Sequence, residues 1–211
     1  MKPYLLYIDI ATFINETDHA MEKNALRREQ IRAGLAKLFE YDFRGHSCDI
    51  LITDNTCATL PDEYMSLLPA GTIVRCFNEN TVGAINKGAG LIQKWLYNME
   101  ILKEYEWILH FEGRQLLLTH AFFDRFFASP AAYFRYGDPH NRANHSHFYT
   151  GIFSIRSADL QAFCDVMPIP RLIRERISIE YPMKDFMISK TTVLETVGLR
   201  WFQARKEYID F

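Results

Sequence analysis

The chain has 211 residues, 48% of them hydrophobic and 14% aromatic, enough to bury a sizeable core in a single domain. With 24 basic and 26 acidic residues the formal net charge is −2, which excludes a broad positive field that would attract nucleic acid or an anionic membrane. Cys48, Cys57, Cys76 and Cys164 form no Cys-x-x-Cys pair, so buried, reduced thiols and a cytoplasmic setting are expected. The opening MKPYLLYIDIATF lacks the cleavage region of a signal peptide, and no apolar run approaches the roughly 20 residues that span a bilayer. A peripheral contact with the inner face of a membrane stays open.

YLLYIDI (4–10) is a compact apolar run and reads as a strand. Residues 22–40 place Ile31, Leu35, Leu38 and Phe39 on one helical face with charges opposite. CDILITDN (48–55) is a second strand with a polar end, DEYMSLL (62–68) a short helix and TIVRCFN (72–78) a third strand. Leu91, Ile92, Trp95, Leu96, Met99 and Leu102 form a wide apolar stripe, which predicts one long helix over 88–105. WILHFE (107–112) is a fourth strand. Beyond it the polar stretch 138–147 is a loop, 148–156 a strand, and 157–166 a helix with Ser157 as N-cap. PIPR (168–171) breaks the chain, and a helix resumes over 178–190 with Pro182 in its first turn.

Strands alternating with helices through residue 115 predict an α/β fold with a mainly parallel, Rossmann-like central sheet and helices on both faces. Ligands of such sheets bind outside the carboxyl ends of the strands. The polar ends TDN, FNEN and HFEGR converge there. NENTVGAINKGAG (78–90) places three glycines, three asparagines and Lys87 between a strand and a helix start, a combination suited to a diphosphate. It is neither a P-loop nor a G-x-G-x-x-G fingerprint.

The order and spacing of these segments resemble inverting, family-2-like glycosyltransferases of the GT-A fold. Asp54 closes the second strand, NTVGAINKGAG supplies Asn80, Gly83, Asn86 and Gly88, and ILHFEGR stands where that family carries a strand ending in Asp-x-Asp. The resemblance covers roughly residues 4–115, the nucleotide-sugar-binding half, and leaves 116–211 as the acceptor-side half. It implies a nucleotide-sugar donor, a glycan or lipid-linked acceptor and a place in surface-polysaccharide synthesis. Asp54, with Asn55 beside it, would contact the nucleotide base, against the plainer reading of a carboxylate capping a turn. Asn80, Asn86 and Lys87 would hold ribose, diphosphate or donor sugar.

The departure is HFEGR itself. Metal-dependent members hold Mn²⁺ or Mg²⁺ on the acidic pair, but here one carboxylate, Glu112, is followed by Arg114, which cannot ligate a metal and can pair with phosphate oxygens. Arg114 with Lys87 would then neutralise the leaving diphosphate, while Glu112 binds sugar hydroxyls or orients Arg114. A purely structural Glu112–Arg114 pair is the alternative. A metal, if held, would draw on Glu112, Asp138, His140, His145 and His147. His110 reads as a satisfied core histidine. Thr150 and Gly151 in FYTGIFSIR match the strand where a small residue lets the donor sugar pack closely. SIEYPMKDF (178–186) matches the element carrying the catalytic base, which gives Glu180 that role and Asp185 second place. Competing readings are a sugar-phosphate nucleotidyltransferase, which should show a glycine-rich, basic loop after the first strand, and a non-catalytic relative that binds a partner.

Overall fold

The computed structural model describes residues 1–13, 20–137, 145–202 and 208–210. In chain order the elements are β1 (Lys2–Ile10), α1 (Ala20–Leu38), β2 (Cys48–Asp54), α2 (Asp62–Met65), β3 (Ile73–Cys76), α3 (Thr81–Ile85), α4 (Lys87–Tyr97), α5 (Met99–Leu102), β4 (Tyr105–Glu112), β5 (Leu116–Leu117), α6 (Ala121–Ala128), β6 (Tyr133–Tyr136), β7 (Phe148–Arg156), α7 (Ser157–Val166), α8 (Ile169–Glu175), α9 (Glu180–Met187), β8 (Thr192–Val193), β9 (Leu199–Phe202) and β10 (Tyr208–Asp210).

The central sheet has strand order β3-β2-β1-β4-β7-β6-β8. β3, β2, β1 and β4 run parallel, β7 joins β4 antiparallel, and β6 lies antiparallel to β7 and parallel to β8. β10, β9 and β5 form a separate antiparallel ribbon. Period-2 alternation sorts the side chains onto two faces. On one face Trp95 of α4 meets His110, Phe153 and Phe163 edge-on, so α4 and α7 cover that side. On the other, Phe126 of α6 packs against Tyr4 and Trp107, and α1 brings Ile31, Leu35 and Leu38 into the same core. Residues such as Leu6, Ile8, Ile52, Leu109 and Phe111 are fully buried between these layers. Among the described residues no helix is long and apolar enough to cross a membrane.

Several elements differ from the sequence expectation for local physical reasons. The long helix divides at Asn98, whose buried amide donates to the Lys94 carbonyl (2.8 Å) and to Thr53 Oγ1 of β2 (3.1 Å), ending α4 before α5 begins. The glycine-rich stretch 78–90 contains α3, which packs on α4 with Gly83 against Gly90. PIPR starts α8 instead of ending structure, because Pro170 falls in the first turn, where its missing N–H is not needed. Ser157 is not a cap: it is the first helical residue of α7, and its hydroxyl donates to the Leu102 carbonyl at 2.9 Å. No disulfide forms; Cys48 and Cys164 are buried, but Cys57 and Cys76 are half-buried.

Candidate active site

The parallel strands β1, β2 and β4 deliver Asp9, Asp54 and Glu112 to the carboxyl edge of the sheet. Asp9 pairs in register with Glu112 and Ile10 with Asp54, so Asp9 and Glu112 share the α4 face while Asp54 turns to the opposite side. Lys94 of α4, 5% exposed, reaches back to form an ion pair with Asp9 and donates to the Ile10 carbonyl at 3.2 Å. One turn beyond β4, Arg114 Nε donates to Glu112 Oε1, and Gln115 Nε2 donates to Glu112 Oε2 at 2.7 Å.

Two adjoining cavities of about 260 and 270 Å³ open above this edge. Asp9, Lys87, Glu112 and Arg114 line both and form the ridge between them. The first lobe adds Phe13, Arg27, Asn55, Asn80 and Ile85. The second adds His110, His147, Tyr149, Thr150, Gly151 and Glu180. In the first lobe four cations, Arg27, Lys87, Lys94 and Arg114, face two carboxylates, Asp9 and Glu112, leaving an excess of two positive charges.

Burial alone would raise the Glu112 carboxyl, but the Arg114 and Arg27 guanidiniums and the Gln115 amide overcome it and hold it at about 2, so Glu112 is ionised. Burial works against the Arg114 charge, and adjacent Glu112 more than offsets it, raising Arg114 above its ordinary value. Arg27 is lowered by burial and by repulsion from Arg114. Burial lifts the Asp9 carboxyl against the pull of Lys94. His110, 1% exposed, is pushed down to about 3 by burial and is neutral.

Of the residues singled out from sequence, Asn55, Asn80, Lys87, Glu112, Arg114, Thr150, Gly151, Glu180 and His147 are brought together around the two lobes. Asp54 is not. It is fully buried, accepting from Thr12 N (2.9 Å), Thr12 Oγ1 (2.5 Å), Thr56 N (2.7 Å) and Thr56 Oγ1 (2.6 Å), which ties the loops after β1 and β2 together and leaves it no reach to a base. Asn86 also turns away: it caps α4 by accepting from Ala89 N and donates to the Leu172 and Ile177 carbonyls, clamping α4 to the segment around α8. Asp185 points outward with its side chain 76% exposed beside Lys184. Gly151 does not make room for a ligand, because a Cβ there would overlap the Tyr149 phenol that lies across it; Gly137 accommodates the His147 ring in the same way.

The sequence named Glu112, Asp138, His140, His145 and His147 as the residues a metal would draw on, if one were held. Asp138 and His140 lie outside the described residues, and His145 stacks on Tyr136 with ring centroids 4.1 Å apart. Among the described residues no three His, Cys, Asp or Glu side chains are grouped to hold a metal. Each Glu112 oxygen accepts one hydrogen bond, from Arg114 and from Gln115, and Asp9 Oδ1 pairs with Lys94, so the carboxylates of this ridge are already matched by cations and an amide.

No protein-family model matches the sequence, and no curated protein matches it. Solved structures do match in shape. A Bacillus anthracis protein assigned as a glucose-1-phosphate thymidylyltransferase, in complex with a sucrose, superposes with a TM-score of 0.58 at 13% identity over 92% of this chain and 87% of that one. Core-mannan synthase A of Aspergillus fumigatus, in its Mn/GDP form, gives 0.56 at 9% identity over 93% and 73%. The S. aureus protein TarS gives 0.53 at 15% identity over 92% of this chain and 59% of that structure. The chain has a GT-A-like fold.

Within the GT-A-like frame, four residues of the site escaped sequence reading. Asp9 and Lys94 are 85 positions apart and meet only through the β1–α4 contact, so no local pattern marks them. Arg27 sits in a run of charges, LRREQIR, where the lobe-facing residue is indistinguishable from its solvated neighbours; its Nε donates to the Ala11 carbonyl at 2.5 Å. Tyr149 carried a signal in its place two residues before Gly151, but which of the pair faces a ligand depends on how the ring folds back.

Proposed function

We propose that this chain is a glycosyltransferase that moves a sugar from a nucleotide-activated donor to a glycan or lipid-linked acceptor, with inversion and without a bound metal. The observation that carries the reading is Arg114, held by Glu112 on the ridge common to both lobes, with Lys87 and Arg27 beside it. Donor nucleotide and diphosphate occupy the first lobe, where the excess positive charge and the N–H groups opening α4 meet the phosphate oxygens. The sugar lies across the ridge in the second lobe. Glu180 is the base: Thr150 Oγ1 donates to its Oε1 at 3.4 Å and Ser178 Oγ to its Oε2. It takes the proton of the acceptor hydroxyl as that oxygen attacks the anomeric carbon, and the diphosphate departs toward Arg114, Lys87 and Arg27. Glu112 orients Arg114 rather than touching the sugar. Asp54, Asn86 and Asp185 have no part in this mechanism. A role in polysaccharide synthesis rests on analogy of fold.

Thermal shift against UDP, GDP, dTDP, CDP and CMP tests the reading. At least one nucleotide should raise Tm with no added Mn²⁺, in proportion to the logarithm of its concentration over Kd. No shift with any nucleotide removes the donor site, and a shift that strictly requires Mn²⁺ removes the metal-free version. The likeness to a thymidylyltransferase keeps one rival in view. Such an enzyme consumes a nucleoside triphosphate and a sugar phosphate and releases pyrophosphate. Against it, the sequence that follows β1, ATFIN, has no glycine. Pyrophosphate release in place of nucleoside diphosphate release decides for the rival, and no turnover of any donor decides for a non-catalytic binding protein.

A further inference from the structure

Among the side chains lining the second lobe is one buried imidazole, His110, backed by an aromatic stack. His110 stands two residues before Glu112 on β4, on the same face, and its ring lines the lobe. It is clamped in place, stacked on Phe153 with centroids 4.6 Å apart and on Tyr7 at 5.7 Å, with Trp95 edge-on at 5.8 Å. The side chain is 1% exposed, and among the described residues Nδ1 has no hydrogen-bond partner. A buried polar atom without a partner costs roughly 1–3 kcal/mol, and a phenylalanine would fill this stack without that cost. The sequence expectation of a core histidine holds for its burial but not for its hydrogen bonding at Nδ1.

We propose that His110 is the hydrogen-bonding contact in the second lobe for a hydroxyl of the sugar carried by the donor, an inference that rests on the nucleotide-sugar reading of the site. A neutral imidazole has one N–H and one lone pair, and a hydroxyl group can answer either. A phosphate can answer only the N–H, since it offers no donor for the lone pair, and it calls for the cations of the ridge instead. The geometry thus separates the two halves of the ligand: charge to the ridge and the first lobe, hydroxyls to His110. The cavity of about 270 Å³ admits a single pyranose ring.

The test compares wild type and His110→Phe by calorimetric titration with UDP, GDP and dTDP and with UDP-glucose, UDP-galactose, UDP-N-acetylglucosamine, GDP-mannose and dTDP-glucose. Wild type should bind one sugar-bearing form more tightly than its parent diphosphate. His110→Phe should bind that diphosphate within about twofold of wild type, lose about tenfold in affinity for the sugar-bearing form, and melt at or above the wild-type temperature. A variant that keeps the whole sugar-dependent gain overturns the proposal, as does a wild type that gains nothing from the sugar. If wild type binds no nucleotide at all, the glycosyltransferase reading itself fails and takes this one with it. Should His110→Phe not fold, ¹⁵N-histidine spectra of the wild type decide: the His110 ring signals move with the sugar-bearing form and not with the diphosphate alone, and equal movement with both refutes the role.

Discussion

Replacing Arg114 by glutamine separates its structural from its chemical task. Glu112 is held at about 2 instead of the ordinary 4.5, and its side chain is only 25% exposed. At 1.36 kcal/mol for each tenfold change in proton affinity, its partners, net of the opposing burial, contribute on the order of 3 kcal/mol. Arg114 is the largest of the influences that lower it, with Arg27 and Gln115 remaining in the variant. Arg114→Gln should therefore cost about 1.5–2 kcal/mol at pH 7, a fall in Tm of about 5 °C for a chain of this size. The sign with pH follows from linkage. The folded value lies below the unfolded one, so the contribution is complete above pH 4.5 and disappears as pH falls toward 2. Circular-dichroism melts at pH 7 and pH 3 should show the gap between wild type and variant narrowing on acidification. A gap of equal size at both pH values, or none at pH 7, refutes the account of the pair. The same variant should weaken nucleoside diphosphate binding by about 10- to 100-fold in titrations without metal, and unchanged affinity refutes the phosphate role even if the stability arm holds.

Glu180→Gln should leave nucleotide affinity near wild type while lowering transfer by about 10²–10⁴-fold, read as donor-dependent nucleotide release with a glycan acceptor; activity within tenfold removes Glu180 as base. Gly151→Ala should push the Tyr149 phenol off its seat and into the second lobe, lowering Tm by a few degrees and weakening sugar-nucleotide binding more than diphosphate binding. Tyr149→Leu in the same chain should recover the lost stability, and failure to recover it means the clash is not the cause. Asp54→Ala removes four hydrogen bonds from a fully buried carboxylate and should destabilise by about 3–5 kcal/mol in urea titrations. If instead it unfolds like wild type and only nucleotide affinity falls, Asp54 touches ligand after all.

The sheet was legible because period-2 alternation and polar strand ends are local signals. β7 and α7 fall on the residues where composition put them, and the four parallel strands follow from their spacing. What could not be read was register and facing. Asp9, Asp54 and Glu112 look alike as carboxylates at strand ends, yet pairing sends Asp9 and Glu112 to one face and Asp54 to the other, into the grip of Thr12 and Thr56. Asn86 and Lys87 are neighbours in one motif, but a helix cap turns the first inward to carbonyls some 90 residues away and the second to the cavity. His110 misled for the opposite reason: its burial was evident from the strand, but a missing hydrogen bond is visible only when all its neighbours are placed.

The two interlocked pairs, Asp9 with Lys94 and Glu112 with Arg114, bear on how such a site changes over evolutionary time. Arg114→Asp alone would set a third carboxylate beside Glu112 and Asp9 while Lys94 still occupies Asp9, which gives repulsion without a cation cage. Lys94→Met alone would strand Asp9 as an uncompensated buried charge. Either of these single steps therefore passes through a less stable chain. The two pairs on this ridge are locked together: neither can be altered by one substitution without leaving a repulsion or an unpaired buried charge.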